Sequence, residues 1–116
     1  MDTLKQVLVL RRFPSLRKGK YVSQGAHASL LAFLDADKDV SRNWLASGQT
    51  KITVYVDSED RLFEIHKLSK EANLPCSLVL DLGKTEFGGQ QTYTAVGIGP
   101  AHSSLIDAIT GDLPLL

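Results

Sequence analysis

The sequence holds a single cysteine, Cys76, among 116 residues. One thiol closes no intrachain disulfide, so a stapled secreted scaffold is excluded and a reducing, cytoplasmic setting is expected. No apolar run approaches the roughly 20 residues of a bilayer-crossing helix, and no membrane partner is expected. The opening Met1-Asp2-Thr3-Leu4-Lys5 puts an acid where a signal peptide carries basic residues. His27, His66 and His102 are far apart and have one cysteine for company, so the sequence offers no metal site. There is no Walker-type loop and no Gly-x-Ser-x-Gly elbow. Gly97-Ile98-Gly99 lacks the third glycine of a dinucleotide fingerprint. Cys76 sits in an apolar stretch, where a cysteine packs far more often than it reacts.

What is present is an ordinary folded composition. A hydrophobic fraction of 43% against 22% charged residues excludes a disordered chain. At this length one core, hence a single domain over residues 1–116, is expected. The net charge is zero, but its distribution is uneven. Arg11, Arg12, Arg17, Lys18 and Lys20 fall within ten residues with no acid among them. Such a cluster suits a phosphate backbone, and it suits a solvated loop equally well.

Periodicity gives the element order βα(α)βαββα. Val7–Leu10 reads as a strand buried on both faces. A helix follows from Val22 to about Leu34, apolar nearly all round and therefore expected to be largely covered. Ser41 is the expected cap of a short second helix that Gly48 ends. Lys51–Val56 alternates as a strand, and Asp57 or Ser58 caps a helix with the stripe Leu62, Ile65, Leu68, Ala72. Cys76–Leu80 and Thr92–Ile98 are further strands; Gly99-Pro100 is expected to break the last and start the final helix. Together these predict a three-layer α/β/α sandwich around a four-stranded mixed β-sheet.

Three segments carry chemistry. With a helix starting near Lys20, the side chains of Lys20, Gln24 and His27 share one face close to a helix N-terminus, where anions bind. His27 is also readily a hydrogen-bonded core histidine. Asp81-Leu82-Gly83-Lys84-Thr85 lies at the carboxyl end of a strand, where ligands gather in α/β sheets, although a turn-forming aspartate has the same appearance. The small residues Gly97-Ile98-Gly99-Pro100-Ala101 permit a close backbone approach, or a turn.

These segments resemble the type-2 peptidyl-tRNA hydrolases. The family's K-G-K-x-x-x-Q-x-x-H-A is met by Lys18, Gly19, Lys20, Gln24, His27 and Ala28. Its G-Q-x-K-I is met by Gly48, Gln49, Lys51 and Ile52, and its D-x-G-x-T by Asp81, Gly83 and Thr85. The closing G-I-G-P, I-D and T-G-x-L-x-L-L are met from Gly97 to Pro100, at Ile106 and Asp107, and from Thr110 to Leu116. The chain departs from the pattern at Phe13, where an acid is usual nearby, at Arg17 and Leu82, where small residues are usual, and in the Gly- and Gln-rich loop Phe87–Gln91.

The resemblance implies hydrolysis of the ester between a peptide and tRNA, without metal or organic cofactor, by a homodimer. It implies four catalytic residues: Lys20 for electrostatic stabilisation, Asp81 to orient water or act as base, Thr85 to hydrogen-bond water or the leaving oxygen, and His27 as general base or in support. Lys18, Gln24, Arg12, Arg17 and Lys84 are expected to bind substrate, whose tRNA is the partner. Two rivals are a non-catalytic RNA- or acyl-tRNA-binding module, which needs neither Asp81 nor Thr85, and a structural adaptor.

Overall fold

A computed structural model describes residues 2–83 and 87–116. Strands β1 (Leu4–Arg11), β2 (Lys51–Val56), β3 (Cys76–Asp81) and β4 (Thr92–His102) form one sheet in the order β2-β1-β4-β3. β1 pairs with β2 in parallel, whereas β4 runs antiparallel to both β1 and β3. The carboxyl ends of β1, β2 and β3 therefore lie together at one end of the sheet, beside the start of β4. Helices α1 (Lys18–Asp35) and α2 (Lys38–Ala46) cover one face, and α3 (Glu59–Glu71) and α4 (Ser103–Thr110) the other. The expected three-layer arrangement is the one observed.

β1 shows why both faces are covered. Val7 and Val9 enter the core beneath α3 and α4 with Val54, Leu62, Ile65, Val96 and Ile106. Leu8 and Leu10 point the other way, to Ala28 of α1, Val79 and Ala95. Alternation along a strand sends successive side chains to opposite layers, so a continuous apolar run is the signature of this position.

Several expectations fail for identifiable reasons. α1 is not covered all round: Gln24, Gly25, Ala28 and Ala32 face the sheet, while Val22, Leu30, Leu31 and Leu34 are exposed. Ser41 does not cap α2; Asp37 does, accepting from the N–H groups of Asp39 and Val40, and Ser41 is buried one turn later. Ser58, one of the two expected candidates, caps α3, but the helix's buried stripe is Leu62, Ile65 and Ser69. Ser69 is tolerated there because its hydroxyl donates to the Ile65 carbonyl. Leu68 and Ala72 point outward.

Pro100 does not end β4, which continues to His102. The β1–β4 ladder slips between Lys5 and Val7, so the proline that donates no hydrogen bond falls where pairing is already irregular. Gln6, fully buried opposite this slip, donates to the carbonyls of Gly99 and Ser29 at 3.1 Å each. α4 consequently starts at Ser103, and it is capped from a distance by Asp2. That carboxylate accepts from the Ser103 and Ser104 hydroxyls and from the Ser104 N–H, which hold its carboxyl far below the usual range. After α4 the chain returns along β2: Tyr55 N–H donates to Pro114, and Leu116 N–H to Thr53, covering an edge that would otherwise invite pairing.

Candidate active site

The polar centre forms where α1 begins over the carboxyl end of β3. Lys20 Nζ lies 2.7 Å from Asp81 Oδ2, with only 13% and 9% of the two side chains exposed. The same oxygen accepts a second bond, from Gln24 Nε2 at 2.7 Å. Oδ1 accepts the Gly83 N–H at 2.7 Å. Among described residues, three of the roughly four acceptor positions of a carboxylate are thus filled, leaving one for an incoming donor such as water. Burial raises the Asp81 carboxyl, but the bonds from Lys20, Gly83 and Gln24 and the Lys20 charge outweigh it and hold the pKa below its ordinary value. Asp81 is an anion at neutral pH.

Gln24 is itself oriented from below. Its Oε1 accepts a 2.5 Å bond from the Thr94 hydroxyl, and both residues are 2% exposed. An amide whose oxygen is engaged by a donor must present its NH₂ to Asp81. The β3–β4 ladder slips between Val79 and Leu80, leaving Thr94 unopposed. Strict alternation would send Thr94 to the face of Val96 and Ile98; the bulge turns it towards α1 instead. Sequence reasoning missed Thr94. The only signal was a hydroxyl in an apolar strand, which is too common to single out.

The structure brings Lys20, Gln24 and Asp81 together and leaves His27 outside. Three residues beyond Gln24 is roughly 60° short of a full turn, and that offset carries the imidazole past the buried face into exposure. It is not a core histidine. Lys84 and Thr85 lie outside the described residues. Lys18 and Arg17 are exposed at the start of α1, whose N-cap side chain makes no capping bond and whose first turn holds no acid. Arg12 is paired with Asp57, Nε to Oδ1 at 3.0 Å, and lies 4.1 Å from the centre of the Tyr55 ring. Among the described residues no three of His, Cys, Asp and Glu are placed to hold a metal ion. No described helix is long and apolar enough to cross a membrane.

A second concavity, of about 720 Å³, lies on the other flank of α1, bordered by Tyr21, Leu30, Phe33, Trp44, Leu45 and Leu116. Its lining is mostly apolar, with Ser29, Gln49, Lys51 and Thr53 among it, and includes neither member of the charged pair. The chemistry lies at Lys20 and Asp81, outside this cavity.

A family model described as Peptidyl-tRNA hydrolase PTH2 matches residues 4–116. The chain is 44% identical to a peptidyl-tRNA hydrolase of Methanocaldococcus jannaschii, over 97% of this chain and 100% of that protein. A protein of the same name from Methanopyrus kandleri is 45% identical over 97% of each chain. That of Halobacterium salinarum is 43% identical over 97% of this chain and 99% of its own.

Proposed function

Because the chain belongs to the Peptidyl-tRNA hydrolase PTH2 family, we propose that it cleaves the ester of peptidyl-tRNA around the Lys20–Asp81 pair. The observation that carries this reading is a lysine and a carboxylate, both largely dehydrated, locked 2.7 Å apart at the carboxyl ends of the strands. A charged pair withdrawn from water acts on a reacting group far more strongly than an exposed one.

The chemistry is addition and elimination at a carboxylic ester. Water adds to the carbonyl carbon and gives a tetrahedral oxyanion, which the Lys20 ammonium stabilises. Collapse expels the ribose oxygen, and this oxygen takes up the proton that water gave up; peptide acid and tRNA are released. A general base works best with a pKa near the working pH, and Asp81 is held below that range. Its role is therefore to fix Lys20 and orient water through its remaining acceptor position. Thr85 is assigned to the water or the leaving oxygen, and His27, exposed beyond the buried face, to support.

Lys18, Arg17 and Lys84 are assigned to tRNA phosphates, with the N-terminus of α1, which has no acid in its first turn, adding its own partial positive charge. Arg12, which pairs with Asp57, is assigned to the same contacts. A translation substrate and a lone cysteine fit the cytoplasm. No step calls for a metal, so purified protein should deacylate N-acetyl-aminoacyl-tRNA undiminished in EDTA. Abolition by EDTA with rescue by a divalent ion would overturn the cofactor-free mechanism. Tight binding without turnover would favour a binding module.

The protein forms a homodimer in this reading. Val22, Ala26, Leu30 and Leu34 are spaced by four along α1, and Val22, Leu30 and Leu34 are 72%, 59% and 71% exposed. A ridge of this spacing packs into the groove of a second helix, and the apolar groove lies alongside it. Ridge and groove on one face permit a self-complementary two-fold contact. Leu30→Glu should convert a dimer to a monomer in sedimentation equilibrium, with the fold retained by circular dichroism. A monomeric wild type, or an unchanged variant, would remove the dimer.

A further inference from the structure

Two aromatic rings stand beside the charged pair, and the ester chemistry uses neither. Phe13, in the loop after β1, and Phe87, in the loop between β3 and β4, lie with ring centres 5.1 Å apart and planes tilted by 55°. Lys20 Nζ is 5.7 Å from the centre of the Phe87 ring, and the Arg11 guanidinium carbon is 4.6 Å from that of Phe13. Both phenylalanines are half-buried. Phe13 is held firmly for a loop residue: its N–H donates to the Tyr21 hydroxyl, which pairs in turn with the Phe13 carbonyl, each at 2.9 Å. The β1–α1 loop is thereby tied to the first turns of the helix that carries Lys20.

We propose that Phe13 and Phe87 form a stacking platform for the terminal base at the single-stranded 3′ end of the tRNA. The proposal rests on the hydrolase reading above and deepens it. The terminal base is joined to the very ribose whose oxygen leaves, so once the ester carbonyl meets Lys20 the base must settle within one sugar's span of that ammonium. Phe87 occupies that zone. Single-stranded nucleic acid is recognised chiefly by aromatic faces flanked by cations, and the two rings stand among Arg11, Lys20 and the basic start of α1. A base tethered through its ribose has a set position relative to the carbonyl. A peptide side chain, which varies from substrate to substrate, gains less from a rigid wall.

The test is calorimetric binding of the unesterified RNA trinucleotide CCA, compared with the same trinucleotide lacking its 3′-terminal base. Stacking of one base corresponds to about tenfold or more in affinity, so wild-type protein should prefer the intact trinucleotide by that factor. Phe87→Leu and Phe13→Leu keep an apolar side chain without a π-face, and each should bring the ratio close to one. Phe87→Tyr should restore it, and thermal melting identifies any variant that has lost its fold. Equal binding of the two trinucleotides by wild type, no binding of either, or an undiminished ratio in both folded leucine variants would overturn the platform. The readout needs no turnover: failure to deacylate removes the hydrolase reading, whereas normal deacylation with base-independent binding removes the platform alone.

Discussion

Asp81→Asn is expected to lower kcat on the order of 10²-fold or more, with a smaller change in KM. The substitution keeps the shape and removes the anion on which Lys20 and Gln24 converge. An ammonium that has lost its partner in a site this dry no longer holds its place above the substrate carbonyl. Lys20→Ala should cost a comparable factor, because it removes the stabilising charge itself. Residues acting as one unit are not additive, so the double variant should be little worse than the poorer single one. Thr94→Val, which leaves the Gln24 amide unoriented, should fall between these and wild type, and His27→Asn should cost least. Steady-state kinetics with circular dichroism on each variant would decide. A fully active Asp81→Asn sinks the assignment, and a folded but dead His27→Asn makes the exposed imidazole the general base.

The same pair has a signature in stability against pH. A carboxyl whose pKa is lower in the folded than in the unfolded state stabilises the fold above its unfolded value. Asp81 is lowered from 3.8. Its contribution is therefore complete at neutral pH and is lost as the pH falls through the depressed folded value. The stability gap between wild type and Asp81→Asn should be widest near neutrality and close in strong acid. Urea unfolding across that range would show it.

Gly97→Ala is expected to destabilise the fold by about 3 kcal/mol, at the upper end of overpacking costs, and to lower Tm by roughly 10 °C or more. A Cβ at this position in the middle of β4 would collide with the Ala28 carbonyl of α1 and lie 2.8 Å from Ser77 Oγ. Neither neighbour can yield cheaply. Ala28 is helix backbone, and the Ser77 hydroxyl ties the two elements together, donating to the Ala28 carbonyl and accepting from the Gly97 N–H. The helix must lift, taking Lys20 and Gln24 with it, so activity should fall along with stability. Gly19→Ala is the contrasting case: its new Cβ has nothing within 4 Å, and alanine suits a helix better than glycine. Gly19→Ala should melt no lower than wild type; a Gly97→Ala protein that also melts normally would refute the contact.

The element order, the mixed sheet and the two-sided burial of β1 were legible in the sequence because each depends on local pattern. Alternation, helical spacing and turn residues fix backbone conformation within a few residues of themselves. Lys20, Gln24 and Asp81 were legible too, through motifs resembling a known family. Other features required the chain to be folded. Whether Gly97 served a turn or a close approach depended on where α1 crosses β4. Pro100 looked like a strand end because the slip in the β1–β4 ladder that accommodates it involves a partner more than ninety residues away in sequence. The offset that leaves His27 exposed is small in angle, and its effect depends on how α1 rests on the sheet. Thr94 was invisible because the β3–β4 bulge that turns it towards Gln24 arises from pairing with a neighbouring strand, and the bond it makes spans 70 residues. Local patterns determine which face a residue prefers; only the order β2-β1-β4-β3, with α1 seated across it, decides which distant residue it meets there.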